Sequence, residues 1–195
     1  MSYDINDFEN DFYFLLEIKS YLKQYLEANT TSYEDTIRKG IYSKLTDGRS
    51  IRLVLPQGRE GLRNISLDDI NFVGFIGFSK PAEQLTETLK DEVWKIDGKL
   101  IEEFSNHGDI LAYVTAERTV GGDSGNLVLL KSLEAIKEWT NCSIHHLAIR
   151  EISPHYYSKV RIHRGRFVNG KTCTYQTLFI DYGFTPPNRF VKIWV

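Results

Sequence analysis

An α+β fold built on an antiparallel sheet is what this 195-residue sequence predicts, on three observations. Apolar residues step by three and four along 6–28, 79–104 and 132–148, the spacing of helices with one buried face. They alternate, or run continuously for a few residues, along 50–55, 70–78, 109–117 and 127–130, as strands do. From residue 70 these segments follow the order strand, helix, strand, strand, helix, strand, a split β-α-β unit.

Taken in order, Asn6 and Glu9 form an N-x-x-E capping box, and Phe8, Phe12, Leu15, Leu22 and Leu26 lay an apolar stripe as far as Ala28. Thr31 and Glu34 repeat the box and start a shorter predicted helix carrying Ile37, Ile41 and Leu45, closed by a turn at Asp47 and Gly48. In 50–55, Ile51, Leu53 and Leu55 alternate with Arg52 and Val54 until Pro56 ends the strand. The polar loop 57–64 is the expected boundary between an N-terminal helical extension with an extra strand, 1–64, and the main domain, 65–195.

The run INFVGFIGF at 70–78 is apolar on both faces, as a central strand is, with Gly74 and Gly77 where another group comes close to the backbone. Ser79 and Pro81 open a long helix carrying Leu85, Leu89, Val93, Ile96, Leu100 and Phe104, with Gly98 as a site for a kink and a stop at His107 and Gly108. The glycine-rich VGGDSGN joins two strands. That makes it a hairpin connection, not the strand-to-helix turn of a phosphate loop or a serine nucleophile. After the third helix, Lys159, Arg161 and His163 alternate with Val160 and Ile162, 172–182 reads as another strand, and RFVKIWV is apolar enough to dock on a sheet edge. The whole order is that of a ferredoxin-like sandwich, two helices on one face of a four-stranded antiparallel sheet. Its other face then needs a cover, from the N-terminal helices or from a second subunit.

Composition narrows the function classes. A 42% hydrophobic and 26% charged chain is an ordinary soluble one, and the 13% aromatic fraction either fills a core or walls a wide pocket. Net charge of −2 and a pI near 6.2, without a nucleic-acid motif, argue against a nucleic-acid partner. The charge is divided, eight acids against two lysines in 1–36 and seven bases against two acids in 151–195, which reads as two ends that pack against each other or, more boldly, as a basic groove. Cys142 and Cys173 show no CxxC or Cys/His spacing, which argues against a structural zinc site or a disulfide framework and fits a reducing cytoplasm. The acidic start lacks a signal-peptide pattern, and no apolar run reaches the length of a membrane span.

Residues 132–148 join helical spacing to ionisable groups. Ser132 is the expected N-cap, with Glu134 and Glu138 near the positive end of the helix. Ala135, Trp139, Cys142, His146 and Ile149 form one stripe, while Glu134, Glu138, Asn141 and His145 form the other, so His146 is expected to face inward and His145 to face solvent. A histidine on an apolar stripe is either a neutral core residue or a proton acceptor lining a cavity. Both readings stay open on spacing alone.

The run NLVLLKSLEAIKEW followed by SIHHLAI resembles the antibiotic-biosynthesis-monooxygenase-like group of the dimeric α/β-barrel superfamily, through Ser132, Ala135, Trp139, His146 and Ala148. The resemblance covers 70–182 in element order and this one helix in residues. It implies a cavity between sheet and helices, a homodimer, and a small-molecule oxidoreductase of the monooxygenase-like kind acting on an aromatic or hydrophobic substrate. In that scheme His146 is the catalytic proton acceptor, Trp139, Tyr156 and Tyr157 hold the substrate, and Arg161 or His163 steadies an oxyanion. The alternative is a non-catalytic ligand-binding or scaffold protein of the same fold. No cofactor or metal is required. Haem is disfavoured, because the group's iron-ligating histidine falls one turn further along, at Ile149 here.

Overall fold

Alternation along one central strand sets the architecture. In the computed structural model, which describes residues 5–28 and 34–194, strand β3 (Asn71–Ser79) pairs antiparallel with a neighbour on each side and is buried on both faces. Phe72 and Ile76 enter one core, and Val73 packs against a second core on the opposite face. The sheet has eight strands in the order β1-β2-β4-β5-β3-β6-β7-β8, with every neighbouring pair antiparallel. The others are β1 (Ile41–Lys44), β2 (Ser50–Val54), β4 (Ile110–Glu117), β5 (Ser124–Leu130), β6 (Tyr157–Val168), β7 (Lys171–Asp181) and β8 (Asn188–Ile193). As expected, 188–193 is an edge strand, and the VGGDSGN segment closes a β4–β5 hairpin.

Helix α1 (Ile5–Ala28) covers the first core. Its Phe14, Leu15, Ile18 and Leu22 are buried against β2, β3, β4 and β5, each such burial contributing on the order of 2 kcal/mol. Gly74 is where the helix comes closest: a Cβ there would lie 2.4 Å from Leu15 Cδ1. Gly77 likewise makes room for the Tyr157 ring. The N-terminal segment therefore supplies the cover that the sheet needed. Helix α3 (Glu87–Phe104) covers the opposite face through Ile101 and Phe104, together with Ala135 of α4 (Glu134–Thr140), and α5 (Ser143–Leu147) lies against α3.

Four expectations are corrected. The predicted helix through Leu45 stops at Lys39: α2 (Glu34–Lys39) ends at Gly40, whose φ of 115° suits glycine, and Ile41 then pairs with Leu53 in the sheet. Thr31 lies outside the described residues. Helix α3 starts later than Pro81, at Glu87, because Thr86 Oγ1 accepts from the Leu89 amide and caps it; a short 3₁₀ turn at Ala82–Gln84 precedes it. Ser132 is not an N-cap, since its hydroxyl donates to Asp109 instead.

The fourth correction concerns the histidines. The predicted continuous helix breaks at Asn141 and Cys142, and α5 begins again at Ser143 with a new phase. The inward and outward positions exchange: His145 is half-buried and His146 is exposed. A stripe drawn across a break points the wrong side chain inward. Five residues of π-helix (Ala148–Ile152) and the single turn α6 (Ser153–Tyr156) lead on into β6.

Candidate functional site

Two polar assemblies occupy opposite faces of the sheet. On the α1 face, Asp11 sits within the helix's apolar stripe and is fully buried, as are His163 on β6 and Thr177 on β7. Arg161 Nε and Nη2 donate to the two carboxylate oxygens of Asp11, each at 2.6 Å. His163 Nε2 lies 2.9 Å from Asp11 Oδ2, and its Nδ1 lies 2.9 Å from Thr177 Oγ1. Trp194 Nε1 donates to the same Oγ1 at 2.9 Å. The carboxylate can only accept, so His163 gives it the Nε2 proton, while Thr177 Oγ1 accepts from Trp194 and meets the other ring nitrogen of His163.

Burial opposes ionisation of Asp11, but the hydrogen bonds from His163 and Arg161 outweigh it and hold the carboxyl below its ordinary range. Phe8 and Phe12 close over the His163 ring at centroid distances of 5.6 and 5.2 Å, and the Arg161 guanidinium lies over Phe78. A threonine, histidine and aspartate in series resemble a hydrolytic triad. Here the hydroxyl is sealed from solvent and already engaged as acceptor, so the assembly is a clamp between α1 and the β6–β7 pair.

The opposite face is open. A groove of about 600 Å³ lies between α3 and the α2–β1–β2 segment. Its floor is an ion pair: Arg52 Nη1 and Nη2 donate to the Asp97 carboxylate at 2.5 and 2.8 Å. The Arg52 guanidinium also stands 5.7 and 5.6 Å from the ring centroids of Tyr42 and Tyr113. Burial works against this charge, yet Asp97 overrides it and moves the guanidinium pKa upward.

The walls follow from local structure. Trp94, Asp97 and Ile101 share the face of α3 that turns to β1 and β2, at helical spacing. Gly98 leaves bare helix between them, because a Cβ there would touch nothing within 4 Å. Trp94 and Tyr42 remain 66% and 69% exposed at the rim, and α2 brings Arg38 and Lys39 from its last turn to the same opening.

The residues expected to form one site are divided by the sheet. Arg161 and His163 belong to the clamp on the α1 face. Trp139 packs on the α3 face, 4.8 Å from Phe104, 5.2 Å from His107 and 5.1 Å from His145 between ring centroids. Tyr157 meets Phe75 and Tyr156 edge-on, and burial moves its phenol pKa upward. His146 stands apart from all of these rings, on the exposed side of α5. Its neighbour His145 carries the burial effect instead: loss of solvent pulls it to about 4, and its Nδ1 is buried without a hydrogen-bond partner.

Two signals were available for what the expectation missed. Asp11 falls three residues from Phe8 and four from Leu15, on the buried stripe, and Trp94 falls off the Val93–Ile96–Leu100 stripe and is exposed. A carboxylate inside a stripe and a tryptophan outside one both break the pattern. Comparison with protein families, curated proteins and solved structures gave no match.

Proposed function

We propose that this protein binds a planar aromatic molecule carrying an anionic group in the groove beside α3. One observation carries the reading: two exposed aromatic side chains, Tyr42 and Trp94, flank an opening onto which Arg38 and Lys39 converge above a fixed Arg52–Asp97 floor. A ring would stack on Trp94, and the anion would meet the cations of α2. This is the ligand-binding form of the two functions that the sequence raised. An oxidoreductase of the monooxygenase-like kind working in the same groove would take Asp97 or Glu102 as its proton acceptor, since none of the lining residues is a histidine.

The ferredoxin-like reading, and with it the resemblance to the monooxygenase-like group, is supported by the four strands that follow residue 70. They lie in the spatial order β4-β5-β3-β6, with α3 and the α4–α6 region on one face. A homodimer would use the β8 edge, where Val191 and Ile193 are 46% and 63% exposed. Among the described residues, no helix is long and apolar enough to cross a membrane.

The test uses anilinonaphthalene sulfonate, an aromatic sulfonate, as the probe. Saturable fluorescence enhancement should be weakened at least tenfold by Gly98→Leu, which fills the groove, and by Arg38→Ala with Lys39→Ala, which removes its cations. Unchanged binding in Gly98→Leu would put the probe elsewhere and sink the reading. Native mass spectrometry of the same sample counts subunits and retained ligands.

A further inference from the structure

A second cluster lies across α3 from the groove and is independent of it. Glu103, in the last turn of α3, and His107, just beyond it, are four residues apart, and His107 Nε2 is 3.4 Å from Glu103 Oε1. Cys142 stands in the break between α4 and α5, where the chain turns back towards the end of α3. The three donor atoms lie within 4.8 Å of one another. The break that misaligned the histidines is what delivers the thiol.

We propose that Glu103, His107 and Cys142 form a zinc site. Zinc takes thiolate, imidazole and carboxylate ligands at roughly 2.0–2.3 Å, which places neighbouring donor atoms about 3–4 Å apart in a tetrahedron. The His107–Glu103 pair already has that spacing at 3.4 Å, and the Cys142 thiol lies within 4.8 Å of both donor atoms. The donor set is too soft for calcium or magnesium, which take oxygen ligands. Three protein ligands leave a fourth position, and the His107 and Glu103 side chains, 16% and 32% exposed, open the site to solvent on that side.

The surroundings hold His107 in place. Gln57 Nε2 donates to the His107 carbonyl at 3.2 Å and to that of Phe104 at 3.4 Å, the Ile110 amide donates to the same His107 carbonyl, and the imidazole meets Trp139 edge-on. Support of this kind around a ligand's backbone is how metal sites keep their geometry.

Cobalt(II) substitutes for zinc and reports its ligands. One equivalent added to the purified chain should produce a near-ultraviolet thiolate-to-cobalt charge-transfer band and the visible bands of a tetrahedral ion, both displaced by zinc. Cys142→Ser should lose the charge-transfer band, His107→Gln should weaken binding at least tenfold, and Cys173→Ser should leave both unchanged. Because Cys142 is nearly buried, a second measurement uses the unaltered chain: zinc should slow alkylation of Cys142 at least tenfold, with Cys173, the exposed free thiol, as internal reference. The proposal is overturned by the absence of a charge-transfer band, by its survival in Cys142→Ser, or by equal alkylation with and without zinc. Failure of the groove probe leaves these readouts untouched.

Discussion

The two faces of the sheet treat charge in opposite ways. On the α1 face, Asp11, Arg161, His163 and Thr177 satisfy one another and are closed to water. On the α3 face, the comparable pair, Arg52 and Asp97, leaves its carboxylate side chain 21% exposed in a groove, and His145 keeps a buried nitrogen without a partner. A buried ion pair offers little net stability relative to apolar packing but a large penalty when broken, so the closed network fixes which segment docks there. An open pair keeps the possibility of a third participant. The difference separates a device for assembly from a surface able to receive a ligand.

Four experiments would break or sharpen that contrast. The largest effect is expected from Asp11→Ala, which strands Arg161 and His163 in the core and should cost about 3–5 kcal/mol in denaturant unfolding. Asp97→Ala strands the buried Arg52 guanidinium beside an open groove, where water can reach it once the carboxylate is gone, and should cost about 2 kcal/mol in the same assay. Equal losses at the two positions would erase the distinction.

Acid should then weaken the faces in sequence. His145 has a folded pKa of about 4 against 6.5 in the unfolded chain, so the unfolded state binds the extra proton and stability falls as the pH drops from 6.5 towards 4. The loss is about 3 kcal/mol at most, and His145→Gln should remove it. Asp11 has a depressed folded pKa, so its contribution is complete above the unfolded value of 3.8 and is lost only as the pH falls through the lower folded value. Equilibrium unfolding at stepped pH would show the order, and a reversed order would contradict this account. The smallest effect is expected from Gly98→Ala, which should raise stability by up to about 1 kcal/mol, because a methyl on that bare stretch of α3 meets nothing and improves helix propensity.

Regular patterns were legible in residue order where one element buries one unbroken stripe. That is why α1, β3 and β4 fall where spacing predicts them. The breaks are where the reading failed. Gly40 and Asn141 end helices that apolar spacing alone would continue, and the phase lost at Cys142 exchanged His145 with His146. Site residues were harder, since the groove gathers Arg52 and Asp97, 45 residues apart, and the clamp gathers Asp11 and Arg161, 150 apart. Pairings over such separations are made by topology, and no local window contains them. Of the acids of 1–36 and the bases of 151–195, Asp11 and Arg161 meet in an ion pair, while Glu17 pairs with Arg49 and Arg166 with Asp69.

The 150-residue separation between Asp11 and Arg161 also has a meaning in time. A ribosome adding roughly 5–20 residues each second makes α1 on the order of ten seconds before β6 exists. For that interval the Asp11 carboxylate has neither Arg161 nor His163. An early helix kept soluble by an unpaired charge, then locked down by its late partners, delays the commitment of this face until β6 and β7 have been made. Removing that charge would leave the nascent helix stickier during synthesis, a hazard that would be felt as lost yield in the cell even where the finished fold survives.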